Sequence, residues 1–93
     1  MKMNEPALDL AIIMALMSSY KDRPVDPKML IFGEVGLSGE VRAVSQASQR
    51  VNEAAKLGFT ACVLPSVCAD KMKPVEGIRL IGVSNVREAI GIM

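Results

Sequence analysis

GEVGLSGEVRAVSQASQRVNEAAKLGFTACVLP, which occupies residues 33–65, is the stretch that decides the fold of this chain. Its first ten residues predict a β-hairpin, because valines alternate with glutamates on either side of a glycine-rich turn. Gly36 and Gly39 are expected to supply the positive φ angles that such a turn needs. The alternation gives the hairpin one wet and one dry face.

A helix and a buried strand are predicted directly after the hairpin. The helix is expected over residues 46–57, with Ser45 as its N-cap and Gly58 as the residue that closes it. The apolar run of residues 61–64 then predicts a strand. The apolar positions of the helix recur at helical spacing and should form its packed face: Ala47, Val51, Ala54, Ala55 and Leu57.

The residues before the hairpin predict a helix and a strand. Pro6 suits the first turn of a helix over residues 7–20, for which Asn4 or Glu5 is the expected cap. Nearly every side of that helix is apolar, so we expect it to be buried rather than amphipathic. The continuous apolar run of residues 29–32 predicts a central strand, covered on both faces, that continues into the hairpin.

The remainder of the chain predicts one more strand and a short final helix. Residues 66–77 are irregular, with room for one helical turn, and residues 79–83 read as a strand. Ser84 or Asn85 is the expected cap of the last helix, with Glu88 as its capping-box partner. We expect that helix to end near the C-terminus.

The length of 93 residues indicates a single domain over residues 1–93, and the order of the predicted elements makes it α/β (α+β), with helices packed on a small mixed sheet. Eleven lysines and arginines stand against 10 acidic residues, a net charge of +1, so the chain is not a strongly basic nucleic-acid binder. Any contact with DNA must therefore be local. The longest apolar run, residues 10–17, is too short to span a membrane, and no signal peptide is visible. The sequence thus predicts a soluble, cytoplasmic protein.

The absence of histidine excludes serine–histidine and cysteine–histidine pairs as well as histidine-bound metals. Cys62 and Cys68 do not form a zinc pattern and are expected to be reduced thiols, so no metal site is predicted. Neither a P-loop nor a dinucleotide-binding glycine motif is present. One nucleophilic option stays open on composition: a serine activated by a neutral, desolvated lysine.

The segment GEVGLSGEVRAVSQASQRVNEAAKLGF, followed by an apolar strand and Pro65, resembles the C-terminal domain of the RadA (Sms) family of bacterial DNA repair proteins. The resemblance runs from about Glu5 to Met93 and includes the helix ALDLAIIMALMSSYKDRP. That domain is similar to the proteolytic domain of Lon. The resemblance therefore implies the Lon-protease-like form of the ribosomal protein S5 domain 2-like fold. It also implies that N-terminal strands are missing, with Lys2 and Met3 as their remnant.

Lon carries a serine–lysine dyad, with the serine in Gly-Pro-Ser-Ala-Gly and the lysine in Gly-Gly-Leu-Lys-Glu-Lys. Counted without gaps from Gly33, the serine position falls on Ala7 and the lysine position on Ser48. Alanine has no nucleophile, and a serine is not an amine base. The resemblance therefore implies the Lon fold without peptidase chemistry and without catalytic residues.

The resemblance further implies a non-catalytic domain of a larger DNA-dependent ATPase of homologous recombination and DNA repair, which processes or branch-migrates recombination intermediates. ATP, Mg and Zn would belong to other domains of that protein, and no cofactor is expected in this one. The implied partners are further copies in a hexameric ring, single-stranded or branched DNA, and the RecA recombinase, with no membrane. The alternatives are a peptidase with a rearranged serine–lysine pair and a generic regulatory or ligand-binding domain of the same fold.

Four basic residues are the candidates for DNA contact: Arg42 at the hairpin exit, Arg50 on the following helix, and Lys71 and Lys73 in the irregular segment. Any one of them taken alone is more often an ordinary solvated charge. Missing N-terminal strands would leave a sheet edge exposed, and such an edge recruits partners. We therefore expect the chain to pair with another copy or to show disorder near Met1.

Overall fold

A computed structural model describes residues Pro6 to Ile92 and shows a small α/β domain, which confirms the predicted fold class. A 3₁₀ turn at Pro6–Leu8 precedes the helices, which are α1 (Asp9–Lys21), α2 (Ala47–Lys56), α3 (Ser66–Ala69) and α4 (Val86–Ile90). The strands are β1 (Met29–Ile31), β2 (Glu34–Val35), β3 (Val41–Arg42), β4 (Ala61–Pro65) and β5 (Arg79–Val83).

Three strands form a parallel sheet in the order β1-β4-β5. Leu30 pairs with Cys62 and Cys62 with Leu80, so the register is continuous across the sheet. Every residue of the middle strand β4 is buried. The prediction of a central strand at residues 29–32 is wrong. β1 lies at the edge of the described sheet and is half-buried, because β4 is inserted between β1 and β5.

β4 divides the core into two clusters because its side chains alternate between the two faces of the sheet. Cys62 and Leu64 pack with Val51 of α2 on one face, which α3 also covers. Val63 packs with Leu10 of α1 on the opposite face, where α4 lies as well. The domain is therefore a three-layer sandwich, and we call its two sides the α2 face and the α1 face.

The predicted hairpin is present as a separate ribbon of β2 and β3. Gly39 has a φ of 83°, as predicted for its turn. Gly36 does not have a positive φ, so that prediction is wrong; a Cβ at this position would meet the carboxylate of Glu40, and that side chain would have to move. The ribbon is fastened to the end of β5 by a hydrogen bond of 2.9 Å from the N–H of Val41 to the carbonyl of Ser84.

α1 is buried along one side only, so the prediction that it is buried all round is wrong. A helix that packs on a three-stranded sheet turns one side to that sheet, and the apolar pattern of α1 extends beyond it. The opposite side presents a line of apolar side chains at every fourth residue, which we call the α1 stripe: Leu8 (37% exposed), Ile12 (54%), Leu16 (65%) and Tyr20 (84%).

α2 starts one residue later than predicted and has a different N-cap. Gln46 rather than Ser45 occupies the cap position, with a φ of 60° and no side-chain capping bond. Leu57, which was predicted to pack, is exposed because it follows the last helical residue. Gly58 ends the helix as predicted, with a φ of 97°. The buried face of α2 consists of Ala47, Val51 and Ala54.

The C-terminal elements confirm the prediction closely. α3 is the expected single turn after β4, and β5 has the predicted bounds. Asn85 caps α4, because its Oδ1 accepts the N–H of Glu88 at 2.9 Å. The carboxylate of Glu88 reaches back to the N–H of Ser84 at 2.6 Å. These two hydrogen bonds therefore stabilise the connection between β5 and α4.

Some sequence predictions lie outside the described residues: the caps Asn4 and Glu5 and the remnant at Lys2 and Met3. The last helix, which was predicted to end near Met93, ends at Ile90. In the part of the chain that the structure describes, the helices are too short or too polar to cross a membrane.

Candidate functional site

Ala7, the first of the two dyad positions, is a buried anchor of the backbone. Its side chain is 3% exposed. Its carbonyl accepts the N–H of Gly33 at 2.8 Å, and the carbonyl of Gly33 accepts the N–H of Leu10 at 3.0 Å. The N-terminal turn is therefore fastened to the start of the hairpin by backbone groups. The methyl group of Ala7 contributes packing and no reactive atom.

Ser48, the second dyad position, is exposed near the start of α2. It lies on the wall of an open groove of about 520 Å³ between α2 and the segment that follows α3. Lys71 and Lys73, two of the predicted DNA contacts, line the same groove. The structure thus brings Ser48 to the same groove as two lysines that lie more than twenty positions further along the sequence.

No serine–lysine pair is assembled within residues 6–92. The hydroxyl of Ser18 bonds the carbonyl of Arg23, and the hydroxyls of Ser66 and Ser84 lie 2.9 Å apart. A lysine that acts as a general base must be desolvated. The lysines of the described part are all exposed, so none has that dry environment: Lys21, Lys28, Lys56, Lys71 and Lys73.

Arg42 is held by two carboxylates of the hairpin. Its Nη2 and Nε lie 2.8 and 3.1 Å from Oε2 of Glu40, and its Nη1 lies 3.9 Å from Oε2 of Glu34. Hydrogen bonds to the Glu40 carboxylate, from its own backbone amide first and then from Arg42, lower the pKa of that carboxyl. The charge of Arg42 is balanced locally, which weakens its case as a contact for DNA.

Arg50 lies over an aromatic ring on a different side of α2. Its guanidinium carbon is 5.8 Å from the centroid of the Phe32 ring, within the range of a cation–π contact. Its Nε donates to the carbonyl of Ser45 at 3.2 Å. Arg50 does not line the groove of Lys71 and Lys73. The four predicted contacts therefore do not form one patch.

Asn52 is a groove residue that the sequence prediction omits. It lies four positions after Ser48, so both project from the same side of α2. That spacing is visible in the sequence, but it indicates a site only once the facing wall is known. The facing wall comes from residues 68–75, which the sequence describes as irregular.

Cys62 and Cys68 are free and buried, as predicted for reduced thiols. Burial raises the pKa of the Cys62 thiol to about 12. The Sγ of Cys68 lies 3.8 Å from the carbonyl oxygen of Val44. Both thiols therefore serve packing. Within the described residues, no group of three histidine, cysteine, aspartate or glutamate side chains is placed to hold a metal ion.

One known protein family matches the larger part of this chain. A family model described as ChlI, subunit ChlI of Mg-chelatase, matches residues 1–67. The chain belongs to the ChlI family. The ChlI match includes both dyad positions, Ala7 and Ser48, whereas Lys71 and Lys73 lie beyond it. The two lysines of the groove are therefore outside the part that the ChlI family describes.

This member of the ChlI family is also similar to proteins named DNA repair protein RadA. It is 51% identical to the one from Bacillus subtilis (strain 168) over 89 residues, which is 96% of this chain and 19% of the relative. It is 45% identical to the Streptococcus pneumoniae protein, over 96% of this chain and 21% of that relative. It is 41% identical to the Salmonella typhimurium protein, over 98% of this chain and 20% of that relative. The chain spans about one fifth of the length of these relatives, and the predicted resemblance to RadA proteins is confirmed.

Proposed function

We propose that this chain is the non-catalytic, Lon-protease-like C-terminal domain of a longer RadA-like protein, a DNA-dependent ATPase of homologous recombination and DNA repair. The observation that carries the proposal is an identity of 41–51% to RadA proteins over almost the whole chain, which matches only about one fifth of their length. In this proposal the longer protein is cytoplasmic. ATP, Mg and Zn are bound by its other parts.

The domain has no peptidase activity of its own in this proposal. Two features support this: the buried methyl group of Ala7 and the exposure of Ser48 away from any desolvated lysine. Incubation with unfolded casein and with a serine-reactive phosphonate should give neither cleavage nor labelling. A Ser48→Ala variant is the matched control. Cleavage or labelling that this substitution abolishes would contradict the proposal.

The domain contributes to assembly and to DNA contact. The exposed α1 stripe is an apolar surface of the kind that protein partners cover, which supports self-association in a hexameric ring. The groove of Lys71 and Lys73 supports contact with single-stranded or branched DNA. RecA recombinase is a further partner of the longer protein in this proposal.

Removal of the matched region from a full-length relative tests these roles. The Bacillus subtilis RadA protein, with and without the region that matches this chain, should be compared for assembly by analytical ultracentrifugation and for ATP hydrolysis stimulated by single-stranded DNA. We expect the deletion to reduce both. Replacement of the residue that corresponds to Gln49, which is exposed on α2 outside the groove, by alanine should change neither. A deletion protein that assembles and responds to DNA like the intact one would refute the assignment.

A further inference from the structure

The groove between α2 and residues 68–75 combines an apolar floor with a basic rim. Cys68, Met72 and Val75 form the floor and pack against the core of the α2 face. The volume of about 520 Å³ lies within the range of sites for small organic groups, roughly 300–1,000 Å³. The described residues that line the groove include no acid, and its exposed rim consists of Ser48, Asn52, Lys71 and Lys73.

Backbone hydrogen bonds hold the basic wall of the groove in shape. The N–H of Lys71 donates to the carbonyl of Cys68 at 3.2 Å, and the N–H of Met72 donates to that of Ala69 at 3.2 Å. Pro74 then restricts the backbone on the far side of the lysines. The two amines are therefore presented from a turn that continues α3. The groove is part of the fold rather than a gap beside a free loop.

We propose that this groove binds a nucleotide of single-stranded DNA, with one unstacked base on the apolar floor and the flanking phosphates at Lys71 and Lys73. The inference rests on the proposed function and specifies its DNA contact. Two ammonium groups complement two phosphates, and the apolar floor covers the face of a base. The hydroxyl of Ser48 and the amide of Asn52 can donate to and accept from the polar edge of that base.

The shape of the groove favours a single strand over a duplex. Bases in a duplex remain stacked and paired, so a duplex would reach only the two lysines and would leave the apolar floor in water. A free mononucleotide has one base and one phosphate, so it cannot place two successive phosphates at the two lysines. Lys71 and Lys73 are two positions apart on one wall of the groove, so their amines can contact neighbouring phosphates of one strand.

Fluorescence anisotropy of a short labelled oligothymidine tests the proposal with the chain as it is. The competitors are the same oligonucleotide with an abasic centre, the corresponding duplex, and free thymidine monophosphate. We expect the intact single strand to bind more tightly than the abasic strand, the duplex or the mononucleotide. The salt dependence should indicate phosphate contacts, with a slope of about −0.7 for each contact on a single strand.

Two pairs of variants separate the lysines from the floor. Lys71→Ala with Lys73→Ala should lower the affinity on the order of tenfold or more at low salt and reduce the salt slope by about 1.4. The control is Lys28→Ala with Lys56→Ala, which removes the same charge from exposed sites outside the groove. Changes of similar size in both pairs would overturn the phosphate assignment.

The second pair tests the floor without touching the core. Asn52→Leu places an apolar chain across the groove and should abolish the preference for the intact strand over the abasic one. Gln49→Leu, on an exposed position of α2 outside the groove, should keep that preference. Equal binding of intact and abasic strands by the unaltered chain, or an affinity for the mononucleotide equal to that for the strand, would overturn the inference but leave DNA contact standing. The absence of binding to any DNA would overturn both.

Discussion

The two helices that cover the sheet differ in the surface that they turn away from it. α2 buries three small or branched side chains, and its outer surface is polar, with Gln49, Glu53 and Lys56 exposed. α1 also buries one side, but its outer surface is the apolar α1 stripe. Contact with the sheet therefore does not decide the outer surface of a helix. The polar outer surface of α2 is suited to contact with water, whereas α1 carries an apolar surface that the described residues leave uncovered.

The largest expected effect comes from removing a fully buried leucine on each face of the sheet. Leu64 on the α2 face and Leu10 on the α1 face are both fully buried. Each truncation to alanine should lower the free energy of unfolding by about 3 kcal/mol. Leu10→Ala should cost the less of the two, because Leu10 lies in the first turn of α1, whose start can shift toward the cavity, whereas Leu64 lies on the middle strand β4. Urea denaturation measures both changes.

The exposed Leu57 supplies the control for that experiment. Leu57→Ala should change the free energy of unfolding by less than about 0.5 kcal/mol, since the side chain is 75% exposed. A loss at Leu10 that equals or exceeds the loss at Leu64 would contradict the expected relaxation of α1.

A pH-dependent effect of intermediate size comes from Cys62, which is fully buried on the α2 face. Burial raises the pKa of its thiol from 9.0 to about 12. Between these values the unfolded chain loses a proton that the folded chain keeps, so this term lowers stability as pH rises. The slope is at most about 1.4 kcal/mol per pH unit. Cys62→Val removes the term, and urea denaturation from neutral pH upward should show the variant gaining on the parent above pH 9.0. A difference that is independent of pH would show that the thiol is not sealed.

The elements that sequence reasoning predicts correctly are those with local signals. Gly39 and Gly58 mark a turn and a helix end through positive φ angles, which depend on neighbouring residues alone. Asn85 marks the start of α4 through a hydrogen bond to a residue three positions away. The apolar run of β4 indicates burial on both faces because both of its side-chain sets are apolar.

The wrong or missing predictions mostly depend on contacts between residues that are far apart in the sequence. β1 has the composition of a central strand, but its place at the edge depends on the insertion of β4 between β1 and β5. The apolar pattern of α1 does not say which side meets the sheet. Asn52 becomes a groove residue only because the turn after α3 faces it. Gln46 takes the cap position in place of Ser45 with a left-handed backbone and no side-chain capping bond, which the capping preference of serine does not predict.

The smallest expected effect on stability carries the clearest information about the α1 stripe. Leu16 is 65% exposed, so Leu16→Glu should change the free energy of unfolding by no more than about 0.5 kcal/mol. The same substitution places a charge in the middle of the stripe and should weaken self-association, because a partner that covers the stripe would have to bury that charge. Leu57→Glu is the matched control, with the same change of charge at an exposed leucine beyond the end of α2. Sedimentation equilibrium should show a lower average mass for Leu16→Glu than for the parent chain and no such change for Leu57→Glu. A parent chain that stays monomeric at its highest soluble concentration, or two variants that respond alike, would show that the outer surface of α1 does not distinguish it from α2 in association.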